Sequence, residues 1–582
     1  MATVVHVTHE AVHKVGGIGA VLQGLVTAPP YQRGIARTIL LGPLLDPHER
    51  TPLGPDGTVL YDNWNGVWSD TVGPALQGVE VARAVRLVYG RRPLRGPDGD
   101  RAEAEVLLVD VASVPRGLGG FKYALYQSFG LTSDRYDHDW EYEQYLRLAE
   151  PGYDAVRALL GEGDLPCYLV AHEFMGMGTA LKAMLAADPG VVTVFYAHEV
   201  APARRLVEES PGRDVMFYNA LRRTRRQGIY LEEVFGSQAA FPKHALVRLA
   251  HRCDGIFAVG DWVVEELRFL GPEFAARDID LVYNGVPSRR YSVARKRKSG
   301  QRLRDYAEAL FHWRPDYLFT HVSRLVPSKG LWRDLLVLEH LDELLAREGR
   351  SAVLMVLATD AGRREPAAVA VMSAAYGWPL THREGHPDLS PAELGFDLQV
   401  RAFNNQARAT RVLFVNQFGW DRDSCGPPMA PAMTFDDLRR GGDAEFGQSI
   451  YEPFGIALLE PLSFGCICVV SDACGCLGFV ARAAEEMGPH RQHLGCLRAD
   501  YTHLEDGEGD PLAIGAAERA ALERRCSRAV AAQLRRQLPA SAGELELLLE
   551  SGHEAAGRMS WERVAEEMFL PALGRAGARR RG

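Results

Sequence analysis

The chain has 582 residues, too many for one hydrophobic core, and at roughly 150 residues per domain its length predicts two to four domains. Apolar residues make up 47% of the chain and charged residues 24%, which excludes a mostly disordered protein, a collagen and a coiled-coil rod. The formal net charge of −9 argues against a dedicated nucleic-acid binder. No stretch approaches eighteen uninterrupted apolar residues, so we expect no membrane span.

The N-terminus and the cysteines both predict a cytoplasmic protein. Residues 1–6 lack a basic region and a long apolar run, so they predict a first strand and not a signal peptide. Nine cysteines in a chain of this size do not make a disulfide scaffold, and their odd number favours a reducing compartment. The sequence does not decide whether the protein forms a homo-oligomer.

Short apolar segments alternate with longer segments rich in Ala, Leu, Glu and Arg. The apolar segments suit strands covered on both faces; they are Thr3–Thr8, Thr38–Leu41, Val106–Val109, Tyr168–Val170, Val192–Tyr196, Gly255–Val259, Leu281–Tyr283, Tyr317–Val322, Val353–Ala358, Arg411–Val415 and Cys466–Ser471. Predicted helices are Ile18–Leu25, Tyr142–Leu160, Gly178–Ala187, Ala240–Ala250, Val263–Leu270, Arg333–Arg347, Ile456–Phe464 and Ala516–Gln537. The alternation predicts an α/β protein with two doubly wound domains in series.

The seam between the two domains is expected near residues 290–312. The basic run Arg295–Lys298 and the pair Ser299-Gly300 interrupt the apolar pattern there, which predicts a solvated linker. Residues 361–401 and 419–444 are rich in Pro, Gly, Asp and Arg, so we expect insertions or long loops beside a site.

A glycine-rich turn follows the first predicted strand and precedes a helix. Its sequence is Lys14-Val15-Gly16-Gly17-Ile18. The glycines allow close approach of a ligand, the N–H groups at the helix start form an anion site, and Lys14 adds a mobile charge. A purely structural turn fits equally well, because the spacing is not the dinucleotide-binding G-x-G-x-x-G.

Two His–Glu pairs each follow a predicted strand of the first domain. They are His172-Glu173 and His198-Glu199, and both point to the C-terminal edge of the first sheet. A metal site is the alternative interpretation, although the H-E-x-x-H spacing is absent.

Two cations stand five residues apart at the end of the strand that opens the second domain. Arg324 and Lys329 lie where open α/β sheets bind ligands. A planar guanidinium and a compact ammonium together suit a diphosphate. The alternative is a pair of surface cations beside the next helix.

The most informative segment is Ser449-Ile450-Tyr451-Glu452-Pro453-Phe454-Gly455, followed by a predicted helix that contains Glu460. The amides at the helix start are unpaired donors suited to a phosphate. The carboxylates of Glu452 and Glu460 suit sugar hydroxyls, because each accepts two hydrogen bonds. Pro461 falls inside this helix, where it removes a hydrogen bond and favours a kink.

The cysteines Cys466, Cys468, Cys474 and Cys476 form a C-x-C…C-x-C pattern. Tetrahedral zinc sites favour C-x₂₋₄-C, so a one-residue gap is too tight. We interpret the four as small core residues, with zinc as the alternative.

Together these motifs resemble retaining nucleotide-sugar glycosyltransferases of the GT-B architecture, in particular glycogen (starch) synthases and most closely the eukaryotic-type family. Lys14–Ile18 matches its K-V-G-G-I, His172–Phe174 resembles its H-E-W, Phe217–Asn219 matches its F-Y-N, and Ser449–Gly455 resembles its S-Y-Y-E-P-W-G. The resemblance covers most of residues 1–300 and 312–480, and residues 361–405 match no segment of the family.

The resemblance implies two Rossmann-like domains facing across a cleft. The first, 1–300, lies on the acceptor side; the second, 301–545, binds the nucleotide sugar; a closing helix and tail occupy 546–582. The resemblance further implies glucose transfer from UDP- or ADP-glucose to the non-reducing end of an α-1,4-glucan, without a cofactor or metal.

The resemblance also assigns residue roles. Arg324 and Lys329 would neutralise the leaving diphosphate, Glu452 would hold the donor glucose, and Glu460 would bind the ribose hydroxyls. His172 would lie beside the transferred sugar. Further donor contacts are assigned to Lys14, Gly16, Gly17, Tyr451, Phe454 and Gly455.

Two alternatives remain from the sequence. One is another retaining GT-B transferase with a small-molecule or lipid-linked acceptor. The other is an inactive glucan-binding relative; the presence of Arg324, Lys329 and Glu452 argues against it.

Overall fold

The structure is a computed structural model that describes residues 2–13, 16–113, 117–360, 362, 364–376, 389–416, 419–488, 494–504 and 509–581. The chain forms two compact units. The first unit comprises Met1–Ala203, Arg223–Gly285 and Ser560–Gly582; the second comprises Arg204–Arg222 and Val286–Met559.

The described strands of the first unit form one nine-stranded sheet. They are β1 (Ala2–Val7), β2 (Ile35–Pro43), β3 (Thr58–Tyr61), β4 (Leu87–Arg95), β5 (Arg101–Val109), β6 (Cys167–His172), β7 (Val191–Ala197), β8 (Gly255–Ala258) and β9 (Asp280–Leu281). Their order is β3-β4-β5-β2-β1-β6-β7-β8-β9, and only the pairings of β3 with β4 and β4 with β5 are antiparallel. The strand order reverses between β1 and β6, so the loops after these strands flank the position where such sheets bind ligands.

Helices cover the first sheet and connect its strands. They are Ile18–Thr27, Pro29–Gly34, Gly73–Arg83, Leu118–Phe129, Trp140–Leu159, Glu173–Ala186, Leu231–Phe235, Pro242–Val247, Asp261–Phe269, Pro272–Ala275, Trp561–Val564 and Leu570–Arg581, with a π-helical turn at Ala565–Phe569. The helices Ala201–Glu209 and Arg213–Arg225 contain the points at which the chain passes into the second unit and back.

The described strands of the second unit form a six-stranded, wholly parallel sheet. They are β10 (Tyr317–Arg324), β11 (Ala352–Thr359), β12 (Thr410–Val415), β13 (Ala444–Gly447), β14 (Ile467–Ser471) and β15 (Cys496–Ala499). The order is β12-β11-β10-β13-β14-β15. Counted from β10, this is the 3-2-1-4-5-6 order of the Rossmann fold, with its switch point between β10 and β13.

Both faces of the second sheet are buried, as its continuous apolar strands predict. Phe319 and Leu354 face one core, while their neighbours Leu318 and Val353 face the other. The helices of this unit are Val293–Phe311, Leu331–Glu348, Pro366–Tyr376, Pro391–Gln406, Arg422–Cys425, Phe435–Gly441, Ile456–Leu459, Leu477–Met487, Ala516–Gln537 and Ala542–Arg558.

The prediction of a solvated linker at residues 290–312 is wrong, because Val293–Phe311 is a helix of 19 residues. Leu303 and Leu310 lie in its buried stripe, while Arg297 and Lys298 are exposed. Buried Lys296 donates from Nζ to the carbonyl of Gly442 at 2.7 Å. The basic run therefore forms part of an amphipathic helix. The chain enters the second unit before it, at Gly285/Val286, whereas the sequence suggested 300/301.

The segments interpreted as loops also contain helices. Pro366 and Pro391 each occupy the first position of a helix, where the fixed φ of proline and its missing N–H are favourable. Ser390 caps the second of these helices by accepting from the Glu393 amide at 3.2 Å. Residues 377–388, which lie in the expected insertion, are outside the described part. Among the described residues, no helix combines the length and the apolarity needed to cross a bilayer.

Candidate functional site

The loops that follow β10 and β13 meet at the switch point of the second sheet. Ile450 donates its N–H to the carbonyl of Ser328 at 2.8 Å. Gly330 has a φ of +63°, and a Cβ there would lie 2.3 Å from the carbonyl oxygen of Gln448. Only glycine accepts both this backbone conformation and this close approach. The structure therefore brings the predicted cationic loop against the predicted glutamate loop.

Arg324 and Lys329 stand at this edge in different settings. Arg324 ends β10 and is exposed. Lys329 ends the short turn Pro327–Lys329, and its Nζ lies 2.5 Å from Oε2 of Glu452. The side chains of this ion pair retain 19% and 14% exposure, so solvent reaches both. A ligand that binds either charge must compete with the other.

Glu460 is held by Arg439, to which the sequence assigned no role in the site. Arg439 donates to Oε2 of Glu460 at 3.3 Å and to Oε1 of Glu445 at 2.8 Å. Burial opposes the charge of Arg439, but these carboxylates outweigh burial and raise its pKa. Arg439 therefore fixes the position of Glu460. The run Asp436–Gly441 that contains Arg439 resembles a run before the family's S-Y-Y-E-P-W-G, but these contacts were not predictable because the partners come from different elements.

The helix after Gly455 is shorter than predicted. Its α-helical part is the single turn Ile456–Leu459, and a 3₁₀ turn at Glu460–Phe464 contains Pro461. One turn supplies a smaller dipole than the nine-residue helix expected from the sequence. Tyr451 and Phe454 are each 2% exposed, so their rings pack inside the second unit instead of lining an open surface. If these two residues contact the nucleotide sugar, they must do so through backbone atoms.

Buried polar side chains form a hydrogen-bonded floor beneath this edge. His321 Nδ1 lies 2.5 Å from Asp334, which accepts from Gln448 at 2.9 Å. Gln448 in turn accepts from the Tyr501 hydroxyl at 2.7 Å. These partners are far apart in the chain, so no sequence motif predicts them. The network fixes the base of both loops.

Arg333 joins the same floor to the segment Arg204–Arg222 of this unit. It is fully buried, and it contacts both carboxylate oxygens of Asp214 at 2.9 Å and Oε1 of Glu523 at 3.0 Å. Its guanidinium also lies 4.0 Å from the ring centroid of Tyr501. A charge buried this deeply requires such partners.

In the first unit, the glycine-rich turn does not form the expected anion site. The carboxylate of Glu10 accepts from the Gly19 amide at 2.9 Å and is 4% exposed. A Cβ on Gly16 would lie 3.1 Å from Oε1 of Glu10. A carboxylate of the protein thus occupies the helix start, so a phosphate there would meet a negative charge. Gly17 is also described, whereas Lys14 lies outside the described residues.

His172, which the resemblance places beside the transferred sugar, is enclosed by two other histidines. It is fully buried; its Nε2 lies 2.9 Å from Nδ1 of His6, and its Nδ1 lies 2.8 Å from Nε2 of His198. Both nitrogens are therefore engaged by other histidines. His198, at the end of β7, is only half-buried.

Glu173 turns the chain from β6 into the next helix with a φ of +59°. A residue with a side chain rarely adopts this conformation, and it costs about 1–2 kcal/mol. Its Oε1 accepts from the amide of Glu199 at 2.6 Å and from that of His198. Burial, and then the charge of Glu199, raise the pKa of Glu173 well above its ordinary value. The two predicted His–Glu pairs therefore meet at one corner.

In the described part of the chain, no group of three or more His, Cys, Asp or Glu side chains is arranged to hold a metal ion, neither at the His–Glu pairs nor at the cysteines. Cys466, Cys468, Cys474 and Cys476 are buried, and burial raises the pKa of Cys466 to about 12. Thiols held in this state pack as small core residues.

The second unit also contains a cavity of about 1260 Å³. Its walls are helices Leu331–Glu348, Pro391–Gln406 and Ala516–Gln537, and Arg213, Trp332 and Arg524 line it. Arg324, Lys329 and Glu452 do not. The predicted site and this cavity are therefore separate places.

The architecture matches solved structures over essentially the whole chain. The catalytic domain of starch synthase IV from Arabidopsis thaliana, bound to ADP and acarbose, aligns with a TM-score of 0.51 and 14% identity over 99% of each chain. The UDP-forming α,α-trehalose-phosphate synthase from Burkholderia xenovorans, in complex with glucose-6-phosphate, aligns with a TM-score of 0.51 and 13% identity over 98% of this chain and 100% of that one.

The N-terminal domain of trehalose-6-phosphate phosphatase from Candida albicans gives a TM-score of 0.51 at 10% identity, over 99% of this chain and 97% of that one. No protein-family model and no curated protein matches the sequence. At such identities the likeness defines the fold: two Rossmann-like units of the GT-B class.

Proposed function

We propose that the protein is a retaining glycosyltransferase that transfers glucose from UDP- or ADP-glucose to the non-reducing end of an α-1,4-glucan. The observation that carries the proposal is the contact of Lys329 with Glu452 at the switch point of a Rossmann-ordered sheet, where Arg324 ends the strand β10. Such switch points are where open α/β sheets bind their ligands. Within a GT-B fold, this combination of charges suits a sugar diphosphate.

The proposed chemistry needs cations more than a protein nucleophile. As the glycosidic bond breaks, negative charge grows on the diphosphate, and Arg324 and Lys329 stabilise it. When the donor binds, Lys329 exchanges Glu452 for phosphate oxygens, and the released carboxylate accepts from glucose hydroxyls. The incoming hydroxyl attacks from the face that the diphosphate leaves, so the configuration is retained. With two cations in this role, we propose that no metal takes part.

The charge of the first unit favours an uncharged acceptor. The carboxylates of Glu10 and Glu199 lie by the ends of β1 and β7. Glu173 lies between them, but its raised pKa favours the uncharged acid, so it is not counted as a charge. Lys243, whose charge acts on Glu173, pairs with Glu141 at 2.9 Å.

Arg92 donates to the carbonyl of Val12 at 2.6 Å. Carboxylates accept readily from neutral hydroxyls and repel phosphate. The trehalose-phosphate synthase holds glucose-6-phosphate and the starch synthase holds acarbose, an oligosaccharide analogue. The charges of this chain therefore favour an uncharged glucan acceptor over a sugar phosphate.

The test is transfer of label by the purified protein. Radiolabelled UDP-, ADP- and GDP-glucose are each offered with glycogen or with glucose-6-phosphate, and Glu452→Gln serves as the control that keeps the size of the side chain. Label in glycogen, lost in the control, is expected. Transfer of label to glucose-6-phosphate would contradict the proposed glucan acceptor. If no label is transferred with any donor and acceptor, the proposed transferase activity is wrong. The cytoplasmic location stays a prediction from the sequence.

A further inference from the structure

A buried arginine, Arg439, joins the second sheet to the turn that carries Glu460. It lies in helix Phe435–Gly441, and its side chain is 5% exposed. Its Nη1 donates to Oε1 of Glu445, which lies on β13, at 2.8 Å. Its Nη2 donates to the carbonyl of Ala457 at 2.6 Å and to Oε2 of Glu460 at 3.3 Å. Three acceptors therefore fix the place of one guanidinium.

The contact with Ala457 replaces a hydrogen bond that the helix cannot make. In an α-helix the carbonyl of residue 457 accepts from the N–H of residue 461. Residue 461 is Pro461, which has no N–H to donate. Arg439 supplies the missing donor from another element. The single turn Ile456–Leu459 is therefore fixed by Arg439 at the point where the proline ends it.

Glu445 connects this arginine to the strand that ends in Arg324. The same Oε1 that accepts from Arg439 also accepts from the amide of Val322 at 3.1 Å. Val322 lies in β10, two residues before Arg324. The ion pair between Arg439 and Glu445 therefore sets where Glu460 stands relative to the end of β10.

The stability of the fold does not explain this pair. Buried ion pairs seldom stabilise a protein more than apolar side chains of similar volume do, because both charges lose their hydration. Glu460, by contrast, has a side chain that is 33% exposed, and among the described residues no hydrogen bond to its Oε1 is shown. Arg439 thus holds one oxygen of the Glu460 carboxylate and leaves the other for a ligand.

We propose that Arg439 is a positioning residue for the nucleotide: by holding Oε2 of Glu460, it directs Oε1 to the hydroxyls of the ribose. This inference rests on the proposed function, together with the ribose contact that the resemblance assigns to Glu460. A nucleotide diphosphate must reach Glu460 with its ribose and Arg324 with its phosphates at once. Fixing the carboxylate beforehand raises affinity, because less side-chain freedom is lost on binding.

The experiment measures nucleotide binding by calorimetry. ADP and UDP are each compared with their 2′,3′-dideoxy counterparts, which lack both ribose hydroxyls. We expect the wild-type protein to bind at least one parent nucleotide about tenfold or more tightly than its dideoxy form, since hydrogen bonds to a charged group are lost. Arg439→Met should weaken the parent nucleotide and bring the two affinities within about threefold of each other.

A second variant guards against a loss of folding. Arg439→Met leaves Glu445 as a buried charge without its partner, which is destabilising. Arg439→Met/Glu445→Gln removes that charge and keeps an oxygen that accepts from Val322. Circular dichroism confirms folding of each variant. Arg302→Met is the matched control, because Arg302 pairs with Asp437 of the same helix at 2.8 Å, and it should keep the wild-type affinity ratio.

Transfer kinetics give an independent readout. The ribose contact is present in the bound donor and in the transition state alike, so the Arg439 variants should raise KM for the donor while kcat changes little. Glu460→Gln added to Arg439→Met/Glu445→Gln should cause little further loss of affinity, because both residues act through one contact.

Equal weakening of the parent and dideoxy nucleotides in the Arg439 variants would assign Arg439 a purely structural role and overturn the inference, while nucleotide binding itself would stand. A wild-type affinity ratio near one would also overturn it, because Glu460 would then not meet the ribose. If the wild-type protein binds neither ADP nor UDP, the proposed function is wrong and this inference is wrong with it.

Discussion

Lys329 and Glu452 neutralise each other in the structure, whereas Arg324, at the end of β10, is exposed. In the proposed reaction both cations act on one diphosphate, and their effect is largest when its charge grows. We therefore expect Arg324→Ala and Lys329→Ala each to lower kcat by roughly 10²–10³, the usual loss for such a group. The double variant should lose less than the product of the two losses, because both residues serve one group.

Steady-state transfer kinetics measure this, with circular dichroism to confirm folding. Lys298→Ala is the matched control, an exposed lysine of the same unit. Arg324→Lys should also be impaired, since an ammonium cannot reproduce the bidentate fork. If the alanine variants keep a third or more of wild-type kcat, Arg324 and Lys329 are surface cations that do not bind the diphosphate.

His6 makes the stability of the fold depend on pH. Its pKa is about 3 in the folded protein and 6.5 when unfolded, so between these values the unfolded chain binds more protons and stability falls as pH falls. From pH 8 to pH 5 this one residue should lower the free energy of unfolding by about 2 kcal/mol.

Urea unfolding at the two pH values checks this expectation. His6→Phe should lose less stability between pH 8 and pH 5 than the wild type, and exposed His138→Gln should behave like the wild type. If the free energy of unfolding of His6→Phe depends on pH as in the wild type, the pKa of His6 is not lowered in the folded protein.

At the scale of elements, the strands that carry the site were predictable because they are buried on both faces. Continuous apolar runs such as Val353–Ala358 leave little choice but a covered parallel strand. β4 escaped prediction because Arg91, Arg92 and Pro93 interrupt it, and it pairs antiparallel toward an edge where such residues are tolerated.

The site itself was predictable only where its residues lie in local motifs at the ends of predicted strands. Arg324, Lys329 and Glu452 sit in motifs at strand ends, so topology brings them together. The sequence did not reveal that Glu10 fills the first helix start or that His172 is enclosed by two histidines. Both depend on side chains from separate elements, which only the folded chain places in contact.

Gly330 lies where the loop after β10 packs against the loop after β13, and its replacement tests this contact. Gly330→Ala should destabilise the protein more than Gly349→Ala. Both positions have a φ near +64°, but only at Gly330 would the new Cβ strike a backbone oxygen, that of Gln448. The left-handed conformation alone costs about 1 kcal/mol. Thermal unfolding compares the two variants, and equal losses would mean that the loops separate readily.

At the scale of the whole molecule, the two units are interleaved along the chain. The final segment Ser560–Gly582 belongs to the first unit, although it follows the second in sequence. Trp561 is 4% exposed and lies against Gly24 and Gly285, where a Cβ on either glycine would come within 2.5 Å of its ring. The C-terminal segment therefore completes a core that begins with β1.

Removal of residues 560–582 should consequently loosen the first unit and not the second. Hydrogen exchange should accelerate in β7 and β8, against which helix Leu570–Arg581 packs. Trp561→Ala in the full chain is a milder version, with an expected loss of about 3–5 kcal/mol. Faster exchange in β10–β15 instead would contradict the division into these units.

The central claim is that a nucleotide sugar binds at the β10/β13 switch point and not in the cavity by Trp332 and Arg524. Hydrogen exchange with and without saturating ADP or UDP tests it directly. The claim predicts slower exchange in residues 323–330 and 448–460, abolished in the Arg324→Ala/Lys329→Ala double variant. Protection confined to helices Pro391–Gln406 and Ala516–Gln537, or retained in full by the double variant, would contradict it.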